Sequence, residues 1–131
     1  MKVLALDYGA ARTGVAVSDP TGTVARPLLV VERASTETGI AQVLDLARRE
    51  DVERIVVGLP LTLRGEHGRQ AEETERFVSR LRALTELPVE TYDERFTTQI
   101  ARSSAGEAPE DAVAAAHLLT DYLSWKHGSR S

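Results

Sequence analysis

The sequence Val3-Leu4-Ala5-Leu6-Asp7-Tyr8-Gly9, followed shortly by Gly14-Val15-Ala16-Val17-Ser18, decides how this chain folds. Both stretches are rich in Val, Leu and Ala without helical spacing, and glycines bound the gap between them. The pattern therefore predicts two strands joined by a tight loop. Because Asp7 ends the first apolar run, its carboxylate should lie at an edge of the sheet, which makes it the first candidate site residue.

The composition is that of one globular domain. The chain has 131 residues, of which 42% are hydrophobic and 27% charged, and no apolar run approaches the ~18 residues that a membrane span requires. The apolar run after Lys2 is broken at Asp7, so it lacks the pattern of a signal peptide, and we expect a cytoplasmic location. We expect residues 1–126 to form a single domain and residues 127–131 to fray.

The charged residues limit the ways in which this chain could bind nucleic acid or metal. A net charge of -4 argues against a protein that coats nucleic acid through bulk electrostatics. Lys2 and Lys126 are the only lysines; the other basic residues are arginines, which suit bidentate phosphate contacts. There is no cysteine, so a bound metal would be held by oxygen or imidazole. His67, His117 and His127 show no ligand spacing and are expected to be surface or packing residues.

The rest of the chain predicts helices that alternate with two more buried strands. A type I turn at 19–22 leads to a third strand, and three strands with such short connections should form an antiparallel meander. Later segments predict helices over 35–50 and 70–84, strands over 54–60 and 89–93, a short helix to about 103, and a last helix over 109–126. The expected fold is therefore α/β, with a mixed five-stranded sheet in which two helix-linked parallel strands join the meander. This layout resembles that of ribonuclease H-like domains.

Three groups of acids follow from this topology as candidate metal ligands. Asp7 ends the first strand, Asp93 and Glu94 end the last, and Asp111 begins the final helix. At about 100° per residue, Asp111 shares a helix face with apolar residues and should face the sheet; they are Ala114, Ala115, Leu118, Tyr122 and Trp125. Clustered carboxylates select Mg²⁺ or Mn²⁺, which can activate phosphodiester hydrolysis.

Each of these acids also has a purely structural interpretation. Asp111 would stabilise the dipole of a helix N-terminus, Asp93 and Glu94 could form a surface turn with Arg95, and Asp7 could simply end a strand. Their joint occurrence at one predicted edge of the sheet favours the metal site.

Four motifs follow one another along nearly the whole chain: residues 6–9 with 12–19, 56–61, 93–98, and Asp111 with 118–123. In this order they resemble the motifs of the YqgF/RuvX family of Holliday-junction-resolvase-like proteins, which are assigned as nucleases in maturation of the small-subunit ribosomal RNA precursor. Family members usually carry a longer, basic segment before the last acid. Here the segment from Ser103 to Glu110 is short and has no basic residue.

The resemblance implies a nuclease of the ribonuclease H fold with bound Mg²⁺ or Mn²⁺. Asp7, Asp111 and one of Asp93 and Glu94 would bind the metal. Side chains alternate along a strand, so Asp93 and Glu94 cannot both point at the same ion; of the two we choose Glu94. The implied substrate-binding residues, through phosphate contacts or close backbone approach, are Gly9, Arg12, Thr13, Gly14, Arg95, Thr97 and Thr98. Leu61 to Arg69, with Arg64 and Arg69, would form a loop on the substrate side.

Several functions are compatible with these residues. The leading hypothesis is a nuclease that acts on precursor 16S ribosomal RNA as a monomer or homodimer, and a resolvase that cuts branched DNA would use the same chemistry. The stretch Asp7-Tyr8-Gly9 also resembles the phosphate loop of actin-like and sugar-kinase domains, although those proteins generally need two such domains. The non-basic segment before Asp111 leaves open a non-catalytic factor in ribosome assembly or transcription.

Overall fold

A computed structural model of the chain describes residues 1–60, 68–94 and 110–128. Its strands are β1 (Val3–Asp7), β2 (Arg12–Ser18), β3 (Ala25–Glu32), β4 (Arg54–Leu59) and β5 (Val89–Asp93). The helices follow as α1 (Glu37–Arg49), α2 (Arg69–Leu84) and α3 (Glu110–Gly128). The predicted short helix from Thr97 to Ser103 and the segment from Ser103 to Pro109 lie outside the described residues, as do residues 61–67 of the loop predicted from Leu61 to Arg69. Arg69 itself is the first residue of α2 and does not belong to a loop.

The strands form one mixed sheet in the order β3-β2-β1-β4-β5. β1 pairs antiparallel with β2, and β2 with β3, whereas β4 pairs parallel with β1, and β5 with β4. The predicted meander with two helix-linked parallel strands is thus confirmed. β1 lies at the centre, where Asp7 ends it.

Alternation along β1 divides the core between the two faces of the sheet. Leu4 and Leu6 pack with side chains of α1 and α2, whereas Val3 and Ala5 pack on the other face with α3. By the same alternation Asp7 points to the face that α3 covers. The helix and the first strand are therefore arranged to share one site.

The last helix is longer than the sequence predicts. α3 continues to Gly128, and the Nε2 atom of His127 lies 3.0 Å from the carbonyl oxygen of Gly22. Gly22 closes the predicted turn, since its N–H donates to the carbonyl of Asp19. This contact holds the end of α3 against the β2–β3 turn. Within the described residues, no helix is long and apolar enough to cross a membrane.

Thr36 caps α1 and provides a test of local stability. Its hydroxyl accepts a hydrogen bond from the backbone N–H of Gly39 at 3.1 Å and donates to the carbonyl of Arg33 at 2.7 Å. We expect Thr36→Ala to lower the free energy of unfolding by about 1 kcal/mol, because the first turn loses its side-chain acceptor. Urea denaturation would measure the change. Thr120→Ala, on the exposed side of α3, is the control and should change stability by less than about 0.5 kcal/mol.

Candidate active site

Two glycines flank Asp7 across the sheet. Gly14 of β2 is its direct partner in the antiparallel pair. On the other side, Leu6 pairs with Val57 of β4, so the next residue along that strand, Gly58, lies beside Asp7. Neither neighbour has a side chain, and the face of the sheet around the Asp7 carboxylate is open to groups from other elements.

Gly14 allows α3 to approach β2 closely. A Cβ atom at Gly14 would overlap the carbonyl oxygen of Asp111 and would lie 3.0 Å from the backbone nitrogen of Ala112. The first turn of α3 therefore packs its backbone directly on the strand. This contact fixes where Asp111 stands relative to Asp7.

Gly58 makes the corresponding space for Glu94. A Cβ atom at Gly58 would lie 2.9 Å from Cγ and Oε1 of Glu94. Glu94 follows β5, and its side chain extends back over β4 towards Asp7. A larger residue at position 58 would block this path, so β4 needs a glycine at this position for the two acids to meet.

Asp7 and Glu94 form a partly buried, hydrogen-bonded pair of carboxyl groups. Burial, the hydrogen bond to Asp7 and the charges of Asp7 and Asp93 together raise the pKa of Glu94 to about 8. Burial also raises the pKa of Asp7, while the hydrogen bond from Glu94 opposes that shift and the charge of Asp111 adds to it. Glu94 is therefore the proton donor of the pair at neutral pH, and Asp7 is the acceptor.

Asp111 belongs to the same site but has another partner. Its Oδ2 atom lies 3.0 Å from Nε of Arg12, and its side chain is 42% exposed. Asp111 does lie next to the sheet, since it contacts Arg12 of β2 and its charge raises the pKa of Asp7. Its carboxylate is nevertheless half-exposed and not shielded from water as expected, because the close contact at Gly14 is made by the backbone of α3. Trp125, expected on the same buried face, is 53% exposed, and its ring is tilted against those of Tyr92 and Tyr122.

The loop between β1 and β2 is held by its own residues. The Thr13 hydroxyl lies 3.4 Å from both the nitrogen and the carbonyl oxygen of Gly9, and a Cβ at Gly9 would lie 2.5 Å from the carbonyl oxygen of Arg12. Thr13 and Gly14 are both buried. Thr13 holds the loop, and Gly14 allows α3 to pack on β2. Neither presents a group to a substrate, contrary to the expectation from the sequence. Arg12, which follows the loop as the first residue of β2, is 58% exposed, so its side chain is accessible to a substrate.

The two acids after β5 occupy different positions. Tyr92 packs in the core under α3, so alternation places Asp93 on the opposite face of the sheet. Asp93 is still close enough for its charge to raise the pKa of Glu94. Of the other predicted substrate-binding residues, Arg95, Thr97 and Thr98 lie outside the described residues, as does Arg64.

Gly58 contributes to the site but is not among the site residues predicted from the sequence. A glycine interrupting the apolar strand Ile55-Val56-Val57-Gly58-Leu59 is a recognisable sign of a close approach by another group. The sequence does not say which group approaches.

The carboxylates are near each other without forming a complete set of ligands. In the part of the chain that is described, no three His, Cys, Asp or Glu side chains converge closely enough to hold a metal ion. Asp7 and Glu94 share a proton, and Asp111 is turned to Arg12. The donors are all carboxylate oxygens, which is the chemistry that Mg²⁺ and Mn²⁺ require.

Comparison with known structures identifies the same fold. The structure of Thermus thermophilus RuvC in complex with a Holliday junction substrate superimposes on this chain with a TM-score of 0.64 at 23% sequence identity. The superposition covers 98% of this chain and 97% of the RuvC chain. The fowlpox virus Holliday junction resolvase gives a TM-score of 0.54 at 11% identity, with 95% and 99% coverage. At these identities the likeness establishes the ribonuclease H-like fold.

Comparison with sequences establishes the family. A protein of Chloroflexus aggregans named "Putative pre-16S rRNA nuclease" is 44% identical over 92% of this chain and 92% of its own length. A Rubrobacter xylanophilus protein of the same name is 45% identical over 93% of this chain and 91% of its own. The family model described as "RuvX: Holliday junction resolvase" matches residues 1–125. The chain belongs to the RuvX family.

Proposed function

We propose that this protein is a divalent-metal-dependent nuclease that hydrolyses phosphodiester bonds in RNA during maturation of precursor 16S ribosomal RNA. The observation that carries the proposal is the partly buried pair of Asp7 and Glu94, with Asp111 beside it at the edge of the sheet. The names of the relatives from Chloroflexus aggregans and Rubrobacter xylanophilus support the choice of RNA substrate.

The acid pair fits a divalent cation better than it fits a structural role. Two partly buried carboxyl groups that share one proton are destabilising for the fold, since burial raises the pKa of both. A divalent cation in place of the proton would neutralise the charges of both carboxylates. Residues that destabilise a fold in this way are typical of active sites. The residues that would hold Mg²⁺ or Mn²⁺ are Asp7, Glu94 and Asp111.

The side chains have separate tasks in this proposal. Asp7 and Glu94 bind the cation from the sheet, Asp111 completes the ligands from α3, and Arg12 binds a phosphate of the substrate. The cation, when bound, stabilises the charge that develops on the phosphate and lowers the pKa of the attacking water. Glu94 must lose its proton to act as a ligand, so metal binding should release protons below pH 8.

Cleavage assays with a variant of Asp7 test the proposal. We expect the wild type to cut a precursor 16S ribosomal RNA fragment with Mn²⁺ or Mg²⁺ and not in EDTA, and we expect Asp7→Asn to lower the rate by at least about a hundredfold, because the central ligand loses its charge. Asp45→Asn is the matched control, since Asp45 is a half-exposed acid that pairs with arginines on α1. Full activity in Asp7→Asn, or in EDTA, would contradict the proposal.

The substrate is tested in the same experiment. The family model is described as a Holliday junction resolvase, so a four-way DNA junction should be assayed beside the RNA. Faster cleavage of the junction than of the RNA would assign the same acids to DNA resolution. Binding to RNA that is unaffected by Asp7→Asn, without cleavage of either substrate, would identify a non-catalytic factor.

A further inference from the structure

Arg12 holds the one carboxylate of the site that is not part of the Asp7–Glu94 pair. Its Nε atom lies 3.0 Å from Oδ2 of Asp111, and the two side chains are 58% and 42% exposed. Arg12 begins β2 at the same edge of the sheet where Asp7 ends β1. The guanidinium is therefore placed between the acid site and solvent.

The ion pair competes with metal binding by Asp111. Arg12 contacts one of the two carboxylate oxygens and offsets part of the charge that would attract a cation. In the described residues, no three ligand side chains converge on one point. Release of Asp111 by Arg12 would therefore favour completion of the site.

A substrate phosphate offers Arg12 an equivalent partner. The planar guanidinium binds phosphate and carboxylate oxygens with the same geometry. Exposed ion pairs of this kind are weak, so exchanging one anion for another has little net effect on free energy. The exchange would leave Asp111 without a cation at the moment when the substrate arrives.

We propose that Arg12 is a positioning residue that exchanges Asp111 for a phosphate of the nucleic acid, so that substrate binding frees the third metal ligand. The inference rests on the proposed function, because it assumes that Asp111 binds the metal. It implies that nucleic acid and metal each strengthen the binding of the other by the same factor. Without nucleic acid, Arg12 competes with the metal for Asp111, and the metal is held more weakly.

Mn²⁺ binding, measured by electron paramagnetic resonance without any cleavage readout, tests the exchange. The probe is a short RNA hairpin with phosphorothioate linkages, which slow hydrolysis, supplied at saturating concentration. We expect the hairpin to increase the Mn²⁺ affinity of the wild type. Arg12→Gln should increase the affinity of the free protein about two- to fivefold and remove most of the further gain from RNA. Arg26→Gln is the control, because Arg26 is a similarly exposed arginine, paired with Glu50 at the other end of the sheet, and should leave both values unchanged.

A double-mutant cycle separates the exchange from the general effect of removing a positive charge. In the Asp111→Asn background, Arg12→Gln should no longer change Mn²⁺ affinity, since the carboxylate that Arg12 holds is absent. An undiminished effect in that background, or equal effects of Arg12→Gln and Arg26→Gln, would overturn the inference. Mn²⁺ affinity of the wild type that does not change with RNA would overturn it as well, while leaving the proposed function intact. Failure of the wild type to bind Mn²⁺ in any condition would instead contradict the proposed function.

Discussion

Replacement of Gly14 by alanine is expected to lower the free energy of unfolding by about 3–5 kcal/mol, because the added methyl group meets the backbone of α3. The Cβ atom would overlap the carbonyl oxygen of Asp111 and press on the nitrogen of Ala112. These atoms belong to the first turn of α3, so they cannot turn aside as a side chain can. Relief requires the start of the helix to move away from β2, which also moves Asp111 from Asp7. Urea denaturation measures the loss of stability.

Gly58→Ala is the matched variant, since it adds the same methyl group on the same face of the sheet. Its Cβ atom would meet the side chain of Glu94 instead of backbone, and a side chain can move away. We expect the free energy of unfolding to change by less than about 1 kcal/mol. Glu94 would be displaced from Asp7, so Mn²⁺ affinity and cleavage should both fall. Equal losses of stability in the two variants would contradict the distinction between a backbone contact and a side-chain contact.

The fold could be predicted because its signals are local. Alternation and apolar runs identify the strands, short connections require the meander, and parallel strands require the intervening helices. The same alternation predicts that only one of Asp93 and Glu94 reaches the site, because one residue along a strand reverses the face. In the structure Glu94 reaches Asp7, and Asp93 lies on the other face by the same rule.

The details of the site depend on distances between elements, which periodicity does not contain. A helical projection places Asp111 on the side of α3 nearest the sheet, but it cannot show that the helix touches Gly14 through its backbone and leaves the carboxylate half-exposed. The sequence also marks Gly58 as unusual within its strand without showing that Glu94 crosses it. Thr13 is polar and near Asp7, yet its buried hydroxyl is used within the loop.

Replacement of Glu94 by glutamine is expected to raise the free energy of unfolding by about 3 kcal/mol at pH 9 in EDTA. Burial, the hydrogen bond to Asp7 and the charges of Asp7 and Asp93 together raise the pKa of Glu94 to about 8 in the folded protein, above its ordinary value in the unfolded chain. The folded state therefore retains a proton that the unfolded state has lost, and the wild type loses stability as the pH rises from about 4.5 through 8. Glutamine has the same shape, carries no charge, and its amide can donate to Asp7 as the protonated acid does.

The pH dependence distinguishes this effect from a general change in packing. The difference in stability between Glu94→Gln and the wild type should be small near pH 4.5, grow with pH, and level off above about pH 8. Glu53→Gln, at an exposed acid whose carboxylate accepts from the backbone of Lys2, controls for the removal of a negative charge and should show no such trend. Mn²⁺ should make the wild type the more stable of the two proteins. The ion stabilises the wild type by binding Glu94 and Asp7, and the variant lacks one of these ligands. A variant that is equally stabilised at pH 5 and pH 9 would show that the pair does not hold a proton at neutral pH.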